Sequence, residues 1–206
     1  MDKYLPTWNV LLMGGSSGTG KTSAAKAIAH RFGMECAQLD DFRLVLEAMT
    51  TPSQQPALHI LNDPQLGDNL SAEDMCQKLV DVAEVMSKAI ESAIAHHVAT
   101  EQALAIEGDG LLPGLAIQKH FHNLDVQPRQ VRFVLLYEPD ETAILANMKG
   151  QKRGIDQRPE AFQRKQARAA WLYGEWLKGE ALRHGVPIVE PAPWQTLTDR
   201  IIGAIT

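Results

Sequence analysis

Near the start of the chain a short apolar run, Val10-Leu-Leu-Met13, passes directly into Gly14-Gly15-Ser-Ser-Gly18-Thr-Gly20-Lys21-Thr22. Apolar residues at helical spacing follow from Thr22 to Phe32. No other feature restricts the fold as tightly. Gly15 to Thr22 satisfies G-x-x-x-x-G-K-[ST] at every fixed position, between a buried strand and a helix. The glycines let the backbone curl so that successive N–H groups point inward at an anion. The following helix adds the positive end of its dipole. The predicted phosphate contacts are Gly15, Ser16, Ser17, Gly18, Thr19, Gly20, Lys21 and Thr22, and the expected ligand is a nucleoside triphosphate, ATP. Lys21 is placed to reach its β- and γ-phosphates, and the Thr22 hydroxyl to ligate Mg²⁺.

The remaining chain alternates strand-length apolar runs with longer helical periodicities. Strands are predicted at 34–39, 103–106, 131–137 and 186–189, and helices at 42–49, 140–148, 160–184 and 196–205. A Ser71-Ala-Glu-Asp74 capping pattern opens a helix whose apolar stripe is Met75, Leu79, Val82, Met86, Ile90 and Ile94. That stripe reads as core packing. Thr50 to Asn69, with Pro52, Pro56 and Pro64, reads as a long loop. Apolar strands alternating with helices predict an α/β, three-layer α/β/α sandwich with a five-stranded parallel sheet and a helical lid. One domain over 1–206 is expected from the length.

Charge narrows the function classes. The net charge of −5 disfavours a general nucleic-acid binder. Two cysteines, Cys36 and Cys76, make no disulfide framework, and no Cys/His spacing suits zinc. No apolar run approaches membrane length. A reduced cytoplasmic protein without a membrane partner, monomeric or homodimeric, is the expectation. Neither an Asn-Lys-x-Asp tetrad for guanine nor an apolar run ending in Asp-Glu is present, which argues against GTPases and motor ATPases.

Phosphoryl transfer to a small molecule needs an acidic group near the acceptor hydroxyl, a metal, and cations over the transferring group. Asp40-Asp41-Phe42-Arg43 follows the second strand, on the loop side of such a sheet. Asp40 or Asp41 is predicted as the base, the other carboxylate contacting a metal-bound water or capping the next helix. Glu107, ending the third strand, is expected to touch metal or substrate, and Asp109 the substrate. Arg43 suits an acidic substrate group. Segment 149–168 carries seven basic residues against two acidic, +5 within a chain of −5. It is predicted as a lid closing Arg153 and Arg158 over the phosphates.

With these residues assembled, the sequence resembles small P-loop kinases of the nucleoside, shikimate and gluconate kinase group, and more narrowly the 2-phosphoglycerate kinases. The resemblance rests on the phosphate loop, Asp40-Asp-Phe-Arg43, Pro56-Ala-Leu-His59 and Ile106-Glu-Gly-Asp-Gly-Leu-Leu-Pro-Gly114. It implies ATP, Mg²⁺ and transfer to a hydroxyl of a small acidic, 2-phosphoglycerate-like metabolite, with His59 toward the acceptor. Related kinases shape the adenine pocket after the last strand, which points to Pro193. Nucleoside, sugar, antibiotic or polynucleotide-end acceptors, or a non-catalytic ATP-binding module, are the alternatives. Asp109 stands where the resemblance leads one to expect histidine after Glu-Gly, and longer members carry an additional N-terminal domain.

Overall fold

The computed structural model describes residues 6–60, 69–151 and 154–206. Five parallel strands form the sheet: β1 (Val10–Gly15), β2 (Glu35–Gln38), β3 (Leu104–Glu107), β6 (Val131–Leu136) and β7 (Ile188–Val189), in the order β2-β3-β1-β6-β7. Two further strands, β4 (His120–Phe121) and β5 (Leu124–Asp125), make a small antiparallel hairpin that the apolar pattern does not reveal. The helices are α1 (Lys21–Phe32), α2 (Leu39–Met49), α3 (Pro56–His59), α4 (Ala72–Ala99), α5 (Glu141–Gly150), α6 (Glu160–His184) and α7 (Leu197–Ile205).

Alternation along the central strands explains why they are mostly apolar. All six residues of β1 are buried. Val10 and Leu12 face one layer, with Ile106, Phe133 and Leu135, and pack under α4 and α6. Leu11 and Met13 face the other, with Val134 and Leu136, against Ile28 of α1 and Ile201 of α7. Helices on both faces bury nearly every position of the central strands β1, β3 and β6, so the period-two polar signal disappears there, while the edge strand β2 keeps Glu35 exposed. This is the P-loop type of three-layer α/β sandwich.

The local signals operate as expected at most ends. Ser71 caps α4, its hydroxyl accepting from the Asp74 N–H at 3.0 Å while the Asp74 carboxylate reaches back. Asp140 caps α5 by accepting from the Thr142 N–H at 2.8 Å. Val82, Met86, Ile90 and Ile94 lie in the core, as the stripe predicts.

Three boundaries differ. The second helix begins at Leu39 rather than Phe42, with Gln38 as its cap, so Asp40 and Asp41 occupy its first turn and Asp41 is not the cap. Acidic residues in a first turn still favour the helix dipole. The expected loop 50–69 contains the short helix α3, and 61–68 lies outside the described residues. The last strand is only two residues long, because Pro187 precedes it and the sheet ends there. Among the described residues no helix is long and apolar enough to cross a membrane.

Candidate functional site

The loop between β1 and α1 closes over the carboxyl ends of β1 and β3, where an open parallel sheet places its ligands. Gly15, Gly18 and Gly20 have φ of 148°, 87° and 79°, in the region that disfavours side chains. At Gly20 a Cβ would also collide with the Trp194 ring. Ser16 and Thr19 lie beneath the loop, the Thr19 hydroxyl donating to the Ser16 carbonyl at 2.8 Å. Asn147 of α5 donates to the Gly18 carbonyl at 2.9 Å, tying the loop to the segment leading into the expected lid.

Lys21 is 6 % exposed, although lysine is almost never buried unless paired. Its Nζ donates to the Ser16 carbonyl at 2.9 Å and meets Asp109 Oδ1 at 2.5 Å. Ser17 Oγ donates to the other Asp109 oxygen at 3.0 Å. The Asp109 backbone is held from behind by the buried Tyr173, whose hydroxyl donates to its carbonyl at 2.6 Å. Beside this cluster Thr22 Oγ1 donates to Glu107 Oε1 at 2.8 Å. Burial raises the Glu107 pKa, against the lowering effect of the Lys21 charge and the Thr22 hydrogen bond; Asp109 and Asp40 add further upward pressure.

Two cavities meet here. One, of about 180 Å³, lies over the phosphate loop and is lined by Ser17, Gly18, Gly20, Lys21, Thr22, Ser23, Asp40, Glu107, Gly108, Asp109 and Gln151. The second, of about 340 Å³, shares Ser17, Asp40 and Asp109 with the first and extends between α2, α4 and α6. Leu39, Arg43, Leu79, Val82, Met86, Gly110, Gln166 and Tyr173 complete its walls. The upper part of the α4 stripe therefore lines a cavity as well as packing the core.

Among the predicted site residues, the structure gathers Ser17, Gly18, Gly20, Lys21, Thr22, Asp40, Arg43, Glu107 and Asp109 around these cavities. Asp41 is exposed and lines neither. His59 turns to Thr50, its Nε2 lying 3.1 Å from the hydroxyl, and likewise lines neither. Arg158 lies over the Phe162 ring at 4.2 Å. Arg153 lies outside the described residues. Pro193 is fixed through its carbonyl, which accepts from Arg200 at 3.0 Å, and the neighbouring Trp194 is the side chain that reaches the loop. Gln151, Gln166 and Tyr173 were not signalled by the sequence. They come from helices or helix ends whose periodicity reports burial, not which neighbour a polar side chain will face.

Arg43 reaches the second cavity from α2 with a compensated charge. It hydrogen bonds Glu47 one turn on, and its Nε lies 3.8 Å from Asp40. Among the described residues no group of three or more His, Cys, Asp or Glu converges as a protein cage for a metal. Thr22, Glu107 and Asp40 nevertheless offer oxygen atoms beside the phosphate loop, a donor set that suits Mg²⁺, which keeps water and phosphate ligands.

No family model matches the chain. Over 203 residues it is 26 % identical to the 2-phosphoglycerate kinase of Methanocaldococcus jannaschii, covering 96 % of this chain. The chain spans 63 % of the length of that curated relative. Solved structures similar to it include shikimate kinase from Acinetobacter baumannii in complex with shikimate, at TM-score 0.49 and 18 % identity, over 98 % of this chain and 94 % of that one. A sugar kinase from Janibacter sp. HTCC2649 gives TM-score 0.47 and 23 % identity, over 97 % and 95 % of the two chains. The deoxyadenosine kinase of M. mycoides with bound dATP gives 0.46 and 13 %, over 94 % and 97 %. The chain is similar in sequence to a 2-phosphoglycerate kinase, and its own sheet order and β1–α1 loop build a P-loop fold whose loop cavity shares a wall with a second cavity.

Proposed function

We propose that this protein is an ATP- and Mg²⁺-dependent kinase that transfers the γ-phosphoryl group to a hydroxyl of a small molecule. The observation carrying this reading is the continuity of the two cavities, with Asp40 at their shared wall. A binding module needs the first cavity only. A phosphotransferase needs an acceptor site beside it and a carboxylate between.

The loop N–H groups, Lys21 and the N-terminus of α1 hold the triphosphate. Thr22, with Glu107 and Asp40 nearby, would hold Mg²⁺, which would supply charge neutralisation for the triphosphate. Asp40 takes the acceptor's hydroxyl proton; the acceptor oxygen bonds to the γ-phosphorus as its bond to the bridging oxygen of ADP breaks. The products are ADP and a phosphate ester. Catalysis on this plan is positioning and electrostatics. Arg153 and Arg158 belong to the lid that excludes water, and Pro193 with Trp194 borders the base.

A 2-phosphoglycerate-like acid is supported as acceptor by the sequence similarity to the M. jannaschii 2-phosphoglycerate kinase. The geometry of Arg43 and His59 lends that acceptor little further support. The deciding experiment is coupled ADP release with Mg-ATP over a panel of hydroxy acids, 2-phosphoglycerate, sugars, nucleosides, aminoglycosides and 5′-hydroxyl oligonucleotides, with Lys21→Ala as blank. Acceptor-stimulated turnover that vanishes in the blank is expected. ATP binding without stimulation by any acceptor would defeat the kinase reading.

A further inference from the structure

Asp109 stands at the mouth of the phosphate cradle as an anion already in contact with it. Its Oδ1 lies 2.5 Å from Lys21 Nζ, and its Oδ2 accepts from Ser17 Oγ at 3.0 Å. Lys21 also donates to the Ser16 carbonyl at 2.9 Å, so at least two of the three N–H donors of its ammonium are engaged. A triphosphate that takes Lys21 and Ser17 therefore meets groups that a carboxylate of this chain holds.

The backbone presenting Asp109 is braced from two helices. Tyr173 of α6 donates to the Asp109 carbonyl at 2.6 Å. Ser87 of α4 donates to the Gly110 carbonyl at 3.0 Å and accepts from the Leu112 N–H at 2.9 Å. Gly108, on the other side, lies so close to Leu39 that a Cβ there would fall 2.4 Å from the leucine Cβ. The Asp109 side chain itself is 35 % exposed. The backbone is thus fixed, while the carboxylate can leave Lys21 by rotation about its own side-chain torsions.

We infer that Asp109 is an internal counter-anion of the cradle, which the nucleotide's phosphates displace from Lys21 and Ser17. It sets the affinity for nucleotide and so the ease with which ADP departs. The inference rests on the nucleotide-binding part of the kinase reading. A latch closed in about nine molecules of ten lowers apparent affinity about tenfold, because only the open fraction binds.

The test is calorimetric titration of the full chain with ATP and with ADP, in EDTA so that no metal contributes. Asp109→Asn keeps the shape, removes the charge, and is expected to tighten both nucleotides about tenfold. Unchanged or weaker binding by this variant overturns the inference. Plain repulsion between a carboxylate and phosphates has the same sign, so a double-mutant cycle with Lys21→Ala separates the two. With Lys21 gone the latch has no cation to release, and the gain from Asp109→Asn is expected to fall below about twofold. A gain that persists there assigns Asp109 to repulsion alone and overturns the latch. Where Asp109→Asn fails to fold, Asp109→Ser carries the same expectations. A parent chain that binds neither nucleotide overturns the kinase reading together with this inference, whereas binding that is indifferent to position 109 overturns the inference alone.

Discussion

The phosphate-loop side of the site and the acceptor side are built on different principles. On the first, the functional side chains reach partners far away in sequence: Thr22 with Glu107, Ser17 and Lys21 with Asp109. These contacts join β1–α1 to the end of β3 and are partly buried. On the second, α2 is held through its own turn, by Arg43 with Glu47 and Asp40, while Phe42, Leu44, Val45 and Met49 remain exposed. Long-range contacts between separate elements fix a geometry that must stay constant for phosphate chemistry. Local contacts within one helix leave it free to differ in what it presents to an acceptor.

The sharpest way to break this contrast lies at the boundary between the two sides. Asp40→Asn is expected to lower kcat by roughly 10²–10⁴-fold, the contribution of a general base, with affinity for ATP titrated without Mg²⁺ nearly unchanged. Asp41→Asn, one residue on but outside both cavities, should leave turnover near the parent value. Equal losses in steady-state kinetics of the two variants would remove the distinction.

Lys21→Ala should cost roughly 10²–10³-fold in turnover, comparable to deleting one preorganised donor to a developing charge. It should also leave Asp109 without its buried partner. ATP titration by calorimetry, beside thermal unfolding, separates lost phosphate contact from lost stability.

Gly108→Ala probes the joint between the sides. Its Cβ would collide with the Leu39 side chain, at the first residue of α2. Overpacking of this kind costs roughly 1–3 kcal/mol, and it should displace Asp40 while the phosphate loop stays intact. Denaturant unfolding should show the cost, and kcat should fall more than ATP affinity. The opposite pattern would mean that the two sides move as one body.

The smallest effect is expected far from either cavity. Ser71→Ala removes the capping box of α4 and should cost about 1 kcal/mol of stability with activity retained. A loss of turnover there would show that α4 positions the acceptor wall through its whole length.

Legibility in the sequence followed the range of the interactions. The loop Gly15 to Thr22 is contiguous, so its residue types and spacing carry its geometry. The core stripe of α4 is legible for a similar reason: burial on a helix repeats with the helical period. Strand β7 and the β4–β5 hairpin were blurred or missed, since two-residue strands have no period to detect. Asp40 and Asp41 are chemically identical neighbours, and the helix boundary at Leu39 decides which of them faces the site. Gln166 and Tyr173, meanwhile, gain their place only when α6 lies across the sheet.

By itself the sequence determined an α/β chain with a phosphate cradle at a strand–helix junction, and the residue types that phosphoryl transfer requires. Those properties depend on neighbours in the chain and on backbone freedom at a few glycines. Tertiary structure alone decided that Asp109 closes on Lys21 and that Asp40 stands between the two cavities. Each is a meeting of charges that depends on distance and solvent exclusion, and folding sets both.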